Sequence, residues 1–187
     1  MKAVVTKPRL GFLGAGWIGR HRLEAVAASG CAEVAGVADP ALDDCLDSLD
    51  ELLALDLDGV VIATPSALHA DQAIAALHAG LAVFCQKPLA CTAADARRVV
   101  EAARSVDRLL AVDLSYRHVE AVRVVCDLVR SGSLGEIYAV DLVFHNAYGP
   151  DKPWFRDPAL AGGGCVIDLG IHLVDLLLWV LDFPAVE

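Results

Sequence analysis

Clustered positive charge is what this 187-residue sequence most lacks: 15 Lys and Arg stand against 25 Asp and Glu, for a net charge of −10. A nucleic-acid-binding surface needs Lys and Arg gathered on one face, so no nucleic-acid partner is expected. Paired cysteines are missing as well. Cys31, Cys45, Cys85, Cys91, Cys126 and Cys165 are scattered, with no C-x-x-C and no Cys/His finger spacing. They read as reduced, mostly buried thiols of a cytoplasmic protein, and no metal site is assigned. A clean membrane-length apolar run is also absent. The most apolar stretch, Cys165 to Phe183, is interrupted by Asp168, His172, Asp175 and Asp182, which are costly in lipid. The N-terminal apolar run is followed by a glycine turn and does not read as a secretory signal. What is plentiful is apolar side chain, 56% of residues with a mean hydropathy of +0.52. The length is slightly more than one average domain.

The residues that say most are Arg9-Leu10-Gly11-Phe12-Leu13-Gly14-Ala15-Gly16-Trp17-Ile18-Gly19. They read as a short strand, a glycine turn and the start of a helix that continues to about Ser29. Gly14, Gly16 and Gly19 fit G-x-G-x-x-G, in which the glycines allow a tight turn, close approach of backbone to pyrophosphate, and close packing of helix on strand. The helix then aims its free N–H groups at the phosphates. Asp39 follows Gly19 at the distance expected of a ribose-binding carboxylate. A carboxylate there repels a 2′-phosphate and Pro40 offers no cation to attract one, so NAD is expected rather than NADP. A plain solvated strand-end Asp is the alternative reading of Asp39.

From Arg9 to about Leu114 strands and helices alternate, which predicts a doubly wound parallel sheet. Glu33–Asp39 is a second strand, and Ser48-Leu49-Asp50-Glu51 a capping box for a short helix. Gly59–Ala63 is a continuously apolar strand, and the helix after Thr64-Pro65-Ser66 stops at Gly80. Leu81–Cys85 and Leu109–Asp113 are strands separated by a helix capped at Thr92. Between Asp39 and Ser48 there is no room for a crossover helix and a full strand; only Cys45-Leu46-Asp47 could form a strand stub. Beyond Val119 the pattern changes to an amphipathic helix ending at Gly132, an alternating strand over Ile137–His145, and a proline- and aromatic-bearing loop from Tyr148 to Phe155. Gly162-Gly163-Gly164 then leads into a final helix. The expected domains are 1–118, a dinucleotide-binding unit, and 119–187, an incomplete α/β substrate unit that breaks off as it begins.

Five landmarks in order resemble the Gfo/Idh/MocA family of NAD(P)-dependent oxidoreductases: Gly14-Ala15-Gly16-Trp17-Ile18-Gly19, Val37-Ala38-Asp39, Ile62-Ala63-Thr64-Pro65 with His69, Lys87-Pro88, and Gly163-Gly164 followed by Asp168 and His172. The resemblance covers essentially the whole chain but only about the first half of a typical member. It implies a Rossmann domain followed by an α/β domain whose open sheet forms the substrate pocket and usually the oligomer interface. It also implies that Thr64, Pro65, His69 and Lys87 line the dinucleotide, that Lys87 in addition contacts substrate and assists proton transfer, and that hydride passes between nicotinamide and a hydroxyl-bearing carbon of a sugar, cyclitol or related polyol. One departure stands out: where the family usually has Glu-Lys-Pro, this chain has Gln86-Lys87-Pro88.

Asp168 and His172, spaced i, i+4, share one helix face, with Asp175 a turn further on. A carboxylate there can orient an imidazole, whose ordinary pKa suits general acid–base work. In the family context His172 is the expected base, Asp168 its orienting partner or a substrate contact, and Lys87 the stabiliser of charge on the reacting oxygen. A polar helix stripe with a satisfied histidine is the alternative. His69 could equally pack its own helix. Arg117 and Tyr116 could touch substrate, although an ion pair of Arg117 with Glu120 is as well supported, and Trp154 and Arg156 are plausible substrate contacts. His21, His78 and His118 read as surface histidines. A homo-oligomer or a complementary chain is expected to cover the apolar faces of the second unit. The rival functional reading is a truncated, catalytically silent NAD-binding protein or half of a split enzyme. A third keeps fold and cofactor but uses transient oxidation for elimination or glycoside cleavage.

Overall fold

Four consecutive apolar residues, Gly59-Val60-Val61-Ile62, are buried on both faces and form β3, the middle strand of a five-stranded parallel sheet. The structure is a computed structural model that describes residues 6–145, 149 and 153–186. Its contacts divide the chain into two units, Met1–Asp113 and Leu114–Glu187.

The first unit runs β1 (Arg9–Leu13), α1 (Trp17–Ser29), β2 (Glu33–Ala38), α2 (Leu49–Leu53), β3, a 3-10 turn at Ser66–Leu68, α3 (His69–His78), β4 (Ala82–Cys85), α4 (Ala93–Ser105) and β5 (Leu110–Val112). The strand order is β2-β1-β3-β4-β5. The chain therefore winds one way from β1 to β2 and the other way from β3 onward. The reversal lies between β1 and β3, whose registers place Leu13 opposite Ile62. In open parallel sheets the crevice beyond the strand ends at such a reversal is where ligands bind.

The core forms where α2, α3 and α4 meet this sheet. Leu52, Val60, Ile62, Leu77, Val83, Cys85 and Val99 are fully or almost fully buried there. Each such aliphatic side chain contributes about 1.5–3 kcal/mol relative to exposure. Ala70, Ala73 and Ala76 on α3 and Ala102 and Ala103 on α4 are also buried in this cluster, so small side chains let the two helices approach closely. Local signals set the helix ends. Ser48 accepts a hydrogen bond from the Glu51 amide at 3.3 Å, and Thr92 accepts one from the Asp95 amide at 3.1 Å. The five-residue α2 lies against β1 and β2 because the strands present glycine there. A Cβ at Gly36 would come within 2.5 Å of Leu55.

The thin stretch after Asp39 forms as the spacing required. Residues Asp39 to Cys45 turn without a helix, and Leu46 makes an isolated parallel bridge to Ala38. The stub expected at Cys45-Leu46-Asp47 is thus a single bridge beside β2.

The second unit is helical among the described residues. A 3-10 turn at Ser115–His118 contacts α5 (Glu120–Arg130) and α7 (Ile171–Val180). That packing groups 114–118 with the second unit, so the division falls just ahead of the His118 boundary read from sequence. Asp157 caps α6 (Pro158–Ala161), which ends at Gly162 in the left-handed region. A π-helical segment, Val166–Gly170, leads into α7.

Three expectations are corrected. No strand forms over Ile137–His145: the described chain there is irregular, Tyr138 is 96% exposed, and Val140, Leu142 and Val143 are exposed too. A strand needs a neighbour to take its backbone hydrogen bonds, and among the described residues of this unit there is none. Only two of the six thiols, Cys85 and Cys126, are buried, while Cys31 and Cys165 are exposed. The helical run Pro158–Val180 does meet the length and composition of a membrane span, 23 residues with a mean hydropathy of 1.7 in its most apolar window. It nevertheless includes Asp168, His172 and Asp175, and Asp175 is ion-paired with Arg117, as suits a helix packed on protein. Of the proline-bearing loop, Tyr148, Pro150, Asp151 and Lys152 lie outside the described residues. Beyond them Trp154 and Phe155 stack at 4.2 Å within a 3-10 turn, Pro153–Arg156.

Candidate functional site

The three fingerprint glycines have different surroundings, which separates their tasks. Gly14 has φ +87°, donates its amide to Ala38 O at 2.8 Å, and lies so close to Ala63 and Thr64 that a Cβ would approach their backbone to 2.8–2.9 Å. A Cβ on Gly19 would come within 2.0 Å of the Gly14 carbonyl. These two fasten helix to strand. A Cβ on Gly16 would meet nothing within 4 Å, so the space over it is open to a ligand. Gly16 is also the N-cap of α1 and makes no side-chain cap, which leaves the first-turn amides of Trp17, Ile18 and Gly19 outside any side-chain capping bond.

Asp39 sits one residue past β2 and faces this turn. Its Oδ2 accepts from the Ala15 amide at 2.8 Å and its Oδ1 from the Ala41 amide at 3.0 Å. A cavity of about 480 Å³ opens beside it, lined by Ala15, Gly16, Trp17, Arg20, Asp39 and Leu42 among others. Trp17 is 67% exposed at its rim and stands edge-on to His21. An open glycine, a row of helix amides and an acidic strand end around one cavity fit a dinucleotide's phosphates and ribose.

The ends of β3 and β4 build a second part of the unit. His69, 1% exposed, has Nδ1 at 2.7 Å from Pro88 O and Nε2 at 2.8 Å from Thr64 O. It joins the Thr64-Pro65 turn to the half-buried Lys87 and the cis Lys87–Pro88 peptide. Burial lowers its pKa, helped by the nearby Lys87 charge and opposed by the two carbonyls. With both nitrogens on backbone carbonyls, His69 holds this turn from within. Thr64 Oγ1 donates to Gln72 Oε1 at 2.6 Å, which fixes the turn from its other side. Burial pushes the neighbouring Cys85 thiol up to about 12, so it is an apolar core group and no nucleophile.

In the second unit, Asp168 lies in the π-helical segment and His172 in the first turn of α7, both half-buried. The wider turn rotates Asp168 from where an unbroken α-helix would hold it. Tyr116 stands edge-on to the His172 ring at 4.6 Å. Asp175, expected on the same stripe, instead takes both Arg117 Nε at 2.9 Å and Arg117 Nη2. Arg117 thus pairs with Asp175, not Glu120. Sequence reasoning also left out the partners of Thr64 and Gln86. Gln72 is one of them. Asp113, which takes Gln86 Nε2 and Arg22 Nε, is the other. A carboxylate at the end of an apolar strand was the available signal for Asp113; a lone Gln within a helix gave none. Among the described residues no group of three or more His, Cys, Asp or Glu could hold a metal.

The sheet order, the glycine turn and the acidic end of β2 define a class: NAD-binding Rossmann-fold oxidoreductases. Residues 8–114 match the oxidoreductase family with an NAD-binding Rossmann fold, and residues 122–187 match the GFO/IDH/MocA C-terminal domain. The chain belongs to the Gfo/Idh/MocA oxidoreductase family. It is 34% identical over 187 residues to the rhizopine catabolism protein MocA of Rhizobium meliloti, covering 94% of this chain and 58% of that protein. It is 32% identical to inositol 2-dehydrogenase of Salmonella typhimurium, over 96% of this chain and 56% of the enzyme. Among solved structures, an NAD-binding protein from Listeria innocua superposes with a TM-score of 0.84 at 31% identity, covering 95% of this chain and 56% of that one. GenD2 from gentamicin A biosynthesis, solved in complex with NAD, gives 0.86 at 28% identity, with coverages of 97% and 55%. The chain spans a little over half the length of these relatives.

Proposed function

We propose that this chain binds NAD in preference to NADP and serves hydride transfer at a hydroxyl-bearing carbon of a sugar, cyclitol or related polyol. The observation that carries the reading is the open space over Gly16 beside the Asp39 carboxylate, at the ends of the strands where the sheet order reverses. The relatives named as dehydrogenases act on compounds of this kind, D-glucoside and inositol among them. When bound, the cofactor supplies the hydride chemistry, and the protein supplies position and charge. Gly14, Ala15, Gly16, Trp17, Ile18 and Gly19 cradle the phosphates, and Asp39 accepts from the ribose hydroxyls. Thr64 and Pro65 form the turn alongside, and His69 holds that turn and the Lys87 turn together.

Lys87 stabilises negative charge on the reacting oxygen. His172 takes the hydroxyl proton, and Asp168 orients it or binds substrate. A π-helical turn carrying one of these residues agrees with a functional role, since such turns recur at functional sites. The protein works in the cytoplasm as a homo-oligomer or with a complementary chain. The exposed Tyr138, Val140, Leu142 and Val143 favour such a cover, and they equally suit a second reading, an NAD-binding half that acts only with another polypeptide. Titration with NAD and NADP, followed by a polyol dehydrogenase screen, tests the proposal. Lys87→Met is expected to abolish turnover and leave NAD binding intact; comparable turnover in that variant would remove Lys87 from the chemistry. NAD binding without turnover by the wild-type chain on any polyol selects the second reading.

A further inference from the structure

Just past β4 and β5 the sheet pairing runs on for one more residue: the Gln86 amide donates to Ile62 O of β3 and the Asp113 amide to Cys85 O of β4, each at 2.8 Å. Their side chains meet. Asp113 and Gln86 are each only 6% exposed, and the Gln86 carboxamide donates to Asp113 Oδ2. The same oxygen receives Arg22 Nε at 2.5 Å from α1. Among the described residues this buried carboxylate thus receives the Arg22 guanidinium and the neutral Gln86 carboxamide.

Two features make this cluster more than a packing detail. Arg22 belongs to the helix that begins at the glycine turn, yet α1 packs chiefly on β1 and β2, so Arg22 spans to the far side of the sheet. Gln86 immediately precedes Lys87. We propose that Arg22, Asp113 and Gln86 form a positioning clamp that fixes the phosphate-cradling helix relative to the strand end bearing Lys87. The inference rests on the NAD reading above and deepens it. It also assigns a task to the residue just before Lys87. With Asp113 already supplying the buried negative charge, position 86 must donate a hydrogen bond. A carboxylate there would face a second carboxylate, and one of the two would have to hold a proton. Among the described residues the charged group that reaches Asp113 is Arg22, from α1, while the charge of Lys87, the residue after Gln86, acts on His69.

The full chain tests this in four forms: wild type, Gln86→Glu, Asp113→Asn, and the double variant that exchanges amide and carboxylate. NAD affinity and melting temperature are measured at about pH 5.5 and about pH 8.5, on either side of the range where a close carboxylate pair gives up its shared proton. Gln86→Glu is expected to bind NAD like wild type at the lower pH and about ten-fold more weakly at the higher one. The double variant is expected to regain most of that loss, because an amide again faces a single carboxylate. If Gln86→Glu melts lower at high pH but binds NAD as wild type does while folded, the cluster is structural only and the positioning claim is overturned. If neither property of Gln86→Glu depends on pH, the clamp itself is overturned. If folded wild type binds no NAD, the functional proposal fails and the positioning claim falls with it, whereas failure of the positioning claim alone leaves wild-type NAD binding intact.

Discussion

Asp39 Oδ2 accepts a 2.8 Å hydrogen bond from the amide of Ala15, which ties the end of β2 to the middle of the glycine turn. The carboxylate therefore shapes the turn before any ligand arrives. Its second oxygen holds Ala41 at the start of the loop that replaces a crossover helix. Asp39→Ala removes both tethers and the ribose acceptor together, and NAD affinity is expected to fall at least about ten-fold. Asp39→Asn keeps an acceptor for one amide but loses the charge, so it should melt closer to wild type while still binding NAD weakly. Tryptophan fluorescence is a suitable readout, because Trp17 lines the same cavity.

Gly16 and Gly19 are expected to respond oppositely to one added methyl. At Gly16 the backbone is extended with φ −61°, and a Cβ has open space. Gly16→Ala should melt like wild type but bind NAD poorly, since its methyl occupies the ligand's approach. At Gly19 the methyl would press on the Gly14 carbonyl, a backbone atom that cannot swing aside. Gly19→Ala should lose about 1–3 kcal/mol of stability or more. Equal melting temperatures for the two variants would contradict this division of labour.

The first unit was legible because its signals are local. Glycine spacing, the caps at Ser48 and Thr92, and the apolar run of β3 each act within a few residues, and each formed where it was read. Even the shortage of residues after Asp39 translated into a single bridge at Leu46. The partners of the polar groups were not legible. His69 reaches Pro88, Gln86 reaches Asp113 and Arg117 reaches Asp175, separations of 19, 27 and 58 residues that only the folded chain closes. The alternating pattern of Ile137–His145 misled for the same reason, since alternation describes a half-buried strand only if other strands lie beside it.

The buried His69 makes acid stability a readable property of the first unit. Burial lowers the folded-state pKa from the ordinary 6.5, so the unfolded chain binds a proton first as pH falls. Stability is then full above pH 6.5 and is lost as pH drops through that value toward the lower folded one. Denaturant melts between neutral pH and about pH 5 should show this loss. In His69→Gln the acid-side slope contributed by this ring should vanish, although the variant is less stable at every pH because a flexible carboxamide replaces the buried ring that spans the two turns. An unchanged acid slope in His69→Gln would mean that other groups set it.

The pairing of Arg117 with Asp175 joins the 3-10 turn after Asp113 to the middle of α7, and it is the bidentate ion pair of the second unit among the described residues. Asp175 is buried and Arg117 is mostly so, which makes the pair costly to break from one side. Asp175→Asn keeps the shape but leaves the guanidinium without its counter-charge, and a loss on the order of 3 kcal/mol is expected. Replacing both partners by apolar residues of similar volume should be much milder, because no charge is left stranded. The same turn carries Tyr116, whose ring stands edge-on to His172, so Asp175→Asn should also disturb the histidine's surroundings. A His172 titration followed by NMR would detect that. A shifted His172 titration in Asp175→Asn, absent in a surface variant such as Arg123→Gln, would tie the ion pair to the candidate base. An unmoved titration would confine the pair to holding α7 in place.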